Sequence, residues 1–165
     1  MSNIIIQIAQ INAWANKLLH QSITQLSFDF MDIKTPYESF GDLIVHLFDA
    51  VNAWIDRIEE KSEKISLRSL KDFKTLDEII EAWEKSDNRF LLVIEKILEK
   101  NEMDKIISVG NSSGKKFRNP IQETFLHLSN HGHQHRGQLA LLLRLYEKET
   151  SPRLDSIHYF RTLYN

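Results

Sequence analysis

The chain contains no cysteine. That excludes disulfides, a cysteine nucleophile and thiolate metal ligands, so any thiol chemistry must bring its thiol from outside. Proline and glycine are scarce, at 3 and 5 in 165 residues, which predicts long, little-interrupted helices. Neither sign of charge dominates: 21 Lys and Arg against 23 Asp and Glu leave a formal charge of -2. Such a balance gives no basic footprint for nucleic acid. No apolar run is long enough to span a bilayer, so no membrane partner is expected. The opening stretch "MSNIIIQIAQINAWANKLL" lacks the basic start and small-residue cleavage site of a signal peptide, which makes the cytoplasm the expected compartment. Internal repeats and low-complexity segments are also lacking.

What is present is enough for one globular domain, residues 1–165, with its own core. Apolar residues at steps of three and four predict a first helix over residues 3–26, through Ile5, Ile8, Trp14, Leu18 and Ile23. "DFMDIKTPYES" breaks it at Pro36. A second helix is expected over 38–60, with Leu43, Leu47, Val51, Trp54 and Ile58 on one side. "KSEKISLRSLKDFKT" reads as an irregular polar connection. Thr75, followed by two acids, predicts an N-cap for a third helix to about Lys100. "GNSSG" reads as a hairpin tip between two short runs. Asn119–Pro120 is expected to open a fourth helix, with proline in its first turn, running to about Glu147. The tail after Pro152 carries aromatics and is expected to pack back on the body. The predicted class is all-α: a four-helix bundle with a small β-hairpin before the last long helix.

Three of the seven histidines crowd into "NHGHQHR", residues 130–136. On a wheel of about 100° per residue, Ile121, Phe125, Leu128, Leu139 and Tyr146 form the core face. His135 falls within that face, His131 at its edge and His127 further round the same edge. His133 lies on the opposite flank. Histidines four apart stack about 5–6 Å apart at Cβ, close enough for both to reach one ion at about 2.0–2.1 Å. Gly132 stands where the zincin signature puts its glutamate, so a zincin mechanism is not expected. Gly132 also leaves room on the core face for a neighbouring helix or a ligand. His46, in "LIVHLFDA", borders the apolar stripe of helix two near Ala50 and Ala53, and is the candidate third ligand. A tri-histidine site keeps coordination positions open, and imidazole suits zinc, nickel, copper or iron. His20, His133 and His158 read as ordinary surface or outlying residues, and His127, one turn from His131, as the candidate extra residue of the pocket. Arg136 and Gln138 are candidates to orient a substrate or to pair with a neighbouring helix. Asp42 and Asp49 fall on the polar side of helix two, so no general base stands out.

"NHGHQHRGQLALLLR" resembles the nHxxxHRGQ helix of DinB-like proteins, the YfiT-like group of metalloenzymes. "INAWANKLLHQSITQL", "HLFDAVNAWIDRI", "VGNSSGKKFRNPIQETFLHLSNH" and "SPRLDSIHYF" resemble that family's other segments, in the same order. The resemblance implies an up-down-down-up bundle, often a homodimer, with His46, His131 and His135 as metal ligands. It departs at Gln134, where many relatives have a histidine. Some members transfer low-molecular-weight thiols. The implied function is therefore a metal-dependent enzyme that adds such a thiol to an electrophilic small-molecule substrate in stress or detoxification. Its cofactors would be a divalent metal (zinc, nickel or iron) and the thiol. A metal-dependent hydrolase and a non-catalytic metal or small-molecule binding protein are the alternatives.

Overall fold

Hydrogen-bonding side chains set the starts of two long helices. Ser39 accepts from the Asp42 amide at 3.0 Å and caps α2, Phe40–Ile58. Thr75 accepts from the Glu78 amide at 3.2 Å and caps α3, Leu76–Glu99. Each side-chain oxygen satisfies a backbone donor that has no partner inside its helix. Asn101, at φ 55°, ends α3 in the left-handed region. There the Glu102 amide donates to Ile97 and the Asn101 amide to Leu98, the paired bonds of a Schellman stop.

The computed structural model describes residues 2–36, 38–59, 67–110, 115–146 and 151–164. Its remaining elements are α1 (Ser2–Ile23), the short antiparallel pair β1 (Lys34–Thr35) and β2 (Glu38–Ser39), the hairpin β3 (Ile106–Gly110) and β4 (Lys116–Pro120), α4 (Ile121–Tyr146) and α5 (Ser156–Tyr164). Single 3-10 turns stand at Phe28–Asp32 and Leu70–Asp72. The protein is mostly helical with a small β-hairpin, as its sequence predicts. Helix one stops three residues short of the expected 26, and Leu26 lies beyond it. The expected hairpin tip after Gly110 and the first part of the polar connection, residues 61–66, lie outside the described residues.

Pro120 does not sit in the first turn of α4. It is the last residue of β4, paired with Ile106. The first amides of α4 donate instead to the preceding loop, Ile121 to Lys105 and Gln122 to Met103, both at 3.0 Å. Those two bonds fix the angle at which α4 leaves the hairpin.

Side-chain contacts give the helix directions. Asn16 meets Asp87 and His20 approaches Glu84, so α1 and α3 run antiparallel. Ser86 bonds the Phe48 carbonyl and Arg89 the Asp56 carboxylate, so α2 and α3 run parallel. His46 meets His131 while Trp54 meets His127, so α2 and α4 run antiparallel. The order is up, down, down, up. α5 lays Tyr159 against Trp14 of α1, with ring centroids 5.8 Å apart.

The apolar core falls into two clusters. One holds Leu19, Phe40, Phe48, Trp83 and Leu139; the other holds Ala9, Ile55, Phe90, Phe125 and Leu128. Between them α1, α3 and α4 place a polar layer of Asn12, Asn16, Asp87, Gly132 and Arg136. The histidines predicted to gather do so beside that layer.

Two residues expected at the surface are buried. His20 is 6 % exposed, with its ring 4.4 Å from Trp83. Burial pushes its pKa down from 6.5 to about 4. Between those values the unfolded chain holds a proton that the folded chain refuses. The folded state therefore loses stability as pH falls from 6.5 toward 4, by up to about 1.4 kcal/mol per pH unit. His20→Leu should remove this contribution, seen as a flatter acid limb in urea unfolding followed across that range. Asp49 is the second case, 6 % exposed under Arg68, whose side chain and amide donate to its carboxylate at 2.6–2.9 Å.

Candidate metal centre

His46 comes from the first half of α2, and His131 and His135 from successive turns of α4. His131 Nε2 lies 3.2 Å from His46 Nε2 and 3.0 Å from His135 Nε2. A ligand nitrogen from each of the three residues lies within 4.8 Å of the other two. Two nitrogens bound at about 2.0–2.1 Å and subtending 90–110° would stand about 2.9–3.4 Å apart. The observed spacings fall in that range.

The hydrogen bonds favour a cation at this point. His135 Nδ1 lies 2.7 Å from Gln138 Oε1. An amide oxygen only accepts, so the proton sits on Nδ1 and the Nε2 lone pair is left facing the cluster. His131 Nε2 faces both neighbours but carries at most one proton, and so can serve only one of them. A cation shared by three lone pairs satisfies all of them. Protonation is a poor substitute. Burial, and then His135, His46 and His127, push the His131 pKa down to about 4. Burial, followed by His135, also lowers that of His46, with Asp49 pulling the other way. Neutral imidazoles are the form a metal needs. The donor set is all nitrogen, which fits a divalent first-row metal.

His135 is buried, whereas His46 and His131 are half-buried. The cluster thus has a closed side within the bundle and a side that solvent reaches. On the open side His127 is exposed, with its ring 5.7 Å from that of His131 and 5.6 Å from that of Trp54. His133 is exposed on the other flank of α4, and His158 lies on α5.

Of the two candidate orienting residues, Gln138 reaches the cluster through His135. Arg136 turns the other way. It is 4 % exposed and donates to Asn16 at 3.1 Å and to Asn12, both on α1. Its guanidinium also fills the space that Gly132 leaves: a Cβ on Gly132 would stand 2.9 Å from Arg136 Nη1. The missing side chain therefore accommodates the protein's own arginine. A cleft of about 550 Å³ between α3, the segment that precedes it and Asn52 of α2 holds none of these histidines. Two of its arginines are committed, Arg68 to Asp49 and Arg89 to Asp56 and Glu59.

Antiparallel helices that bring three imidazoles to one half-open point define a helical protein with a tri-histidine metal-binding geometry. The chain belongs to the DinB family, whose model matches residues 1–155. It is similar to Protein DinB of Bacillus subtilis (strain 168), at 23 % identity over 170 residues, covering 98 % of this chain and 97 % of that relative.

Proposed function

We propose that the protein is a metal-dependent enzyme that adds a low-molecular-weight thiol to an electrophilic small molecule, in a stress or detoxification role. The observation that carries this reading is the convergence of three imidazole nitrogens on a point open to solvent on one side. His46, His131 and His135 would hold the metal, zinc, nickel or iron. When bound, it would lower the pKa of a thiol or water brought to it. The chain has no cysteine of its own, so a sulfur nucleophile must be a second small molecule. Gln138 keeps His135 in the ligating tautomer. Asp49 is held by Arg68 and is not free to act as a base.

The test is conjugation to monochlorobimane across a panel of small thiols, with and without metal. Product formation should require both thiol and metal and should disappear in His131→Ala. Ester turnover without thiol would replace this reading with hydrolysis. Metal uptake with neither activity would reduce the protein to a binding function.

A further inference from the structure

One strip of side chains leads away from the tri-histidine cluster along α2 and α4. From His131 it passes to the His127 ring, then to the Trp54 ring, and ends at the Arg57 guanidinium, 4.4 Å from the Trp54 centroid. On α2 the positions 46, 50, 53 and 57 share one face at steps of four, three and four. Small residues, Ala50 and Ala53, separate the histidine from the arginine. Long side chains on a helix lean toward its N-terminus, which here is toward His46.

Arg57 differs from its neighbours on α2. Asp56 and Glu59 are both taken by Arg89, so neither is left to neutralise Arg57. Its Nε is buried and has no hydrogen-bond partner among the described residues. Burial alone lowers the pKa of the group, as expected where a cation is desolvated with no counter-ion among the described residues. A half-buried guanidinium offers a planar fork suited to carboxylate or phosphate. An aromatic face beside it offers apolar contact to the rest of the same molecule.

We propose that Arg57 is the anion-recognising residue of the substrate surface, so that a reactant approaching the histidine cluster carries a carboxylate or phosphate that seats on Arg57 while its body lies along Trp54 and His127. This deepens the proposed function and rests on the cluster being a reaction centre. The anion belongs either to the thiol or to the electrophile.

The test uses full-length, ¹⁵N-labelled protein, with and without metal, and follows the Trp54 indole N–H, assigned by its loss in Trp54→Phe. Benzoate and phenyl phosphate should shift this signal saturably, and benzamide should not. Arg57→Gln should weaken benzoate binding by about tenfold or more, and Arg57→Lys, which keeps the charge but loses the planar fork, should keep only part of it. Unchanged Trp14 and Trp83 signals establish that each variant is folded. Equal binding of benzoate and benzamide, no shift at Trp54, or unaltered binding in Arg57→Gln would overturn the assignment. Two further pairs locate the source of the charge: glutathione against its diethyl ester for the thiol, and maleate against diethyl maleate for the electrophile. The pair whose preference for the acid vanishes in Arg57→Gln identifies the reactant, and no such preference in either pair counts against the proposal. Anion binding that persists without metal, in a protein inactive in conjugation, would keep the Arg57 site and discard the enzyme reading.

Discussion

His131→Ala, purified without nickel resin, should retain almost no first-row metal under conditions where the wild type takes up one ion per chain. The reason is the place of His131 in the cluster. Its Nε2 lies within 3.2 Å of both other ligand nitrogens, so it is the member that ties the helices together. Without it, only His46 on α2 and His135 on α4, with ring centroids 5.0 Å apart, remain as ligands. Four-ligand zinc sites are worth about 10–16 kcal/mol, so one imidazole carries roughly 3–4 kcal/mol, or on the order of 10²–10³ in affinity. Elemental analysis and competition with a chromogenic chelator would read this directly. Gln138→Leu makes a graded comparison. It leaves all three ligands but frees His135 to rotate and to change tautomer, and should weaken binding by about 10–100-fold. His127→Ala should leave affinity close to wild type, because its ring only neighbours His131. Equal metal content in wild type and His131→Ala would mean that the close approach of these nitrogens reflects packing alone.

Periodicity made the helices legible, because each long helix turns one stripe to a common core. The angular relation of His131 to His135 is a local property of one helix, so it too could be read from spacing. His46 was placed by its position beside the stripe of helix two and by resemblance; only the antiparallel pairing of α2 and α4 brings it within reach. A wheel fails where a residue is covered by something other than the helix core. Asp49 sits on the polar side of α2 but is sealed by Arg68, from a connection with no periodic pattern. His20 looks like a residue at a helix end, yet Trp83 packs across it. Gly132 suggested space for a neighbour or a ligand, and the space goes to Arg136 folded back along the same helix. Tyr146 fell on the core face of the wheel but is 55 % exposed, because it lies at the end of α4, where few elements remain to cover it. The surface formed by Trp54 and Arg57 was invisible for a related reason: Trp54 fits a core stripe equally well, and only the contact with His127 shows that it faces the metal side.

The polar layer between the two apolar clusters supplies the other large effect. Arg136→Met should destabilise the fold by about 3–5 kcal/mol, the usual loss when one member of a buried charged network is removed. Asn16 donates to Asp87 at 2.7 Å and accepts from Arg136 at 3.1 Å, so it couples the acid on α3 to the base on α4. Burial raises the Asp87 pKa from 3.8 to about 7, while Asn16 and Arg136 hold it from rising further. Between those values the folded chain keeps a proton that the unfolded chain has released. Stability from this group is therefore fullest below about 4 and is lost as pH rises toward 7, opposite in sign to His20. Without Arg136 the carboxylate loses the cation that lowers its pKa, and the loss on raising pH should extend above 7. Replacing both residues, Arg136→Met with Asp87→Leu, removes the stranded charge and should recover much of the stability. Urea unfolding of the two single variants and the double variant at pH 5 and pH 8 gives the coupling directly. Additive losses would show that the two groups do not act together. A double variant more stable than Arg136→Met alone, with the Asp87 contribution to its pH dependence gone, would show that α1, α3 and α4 are coupled through this network.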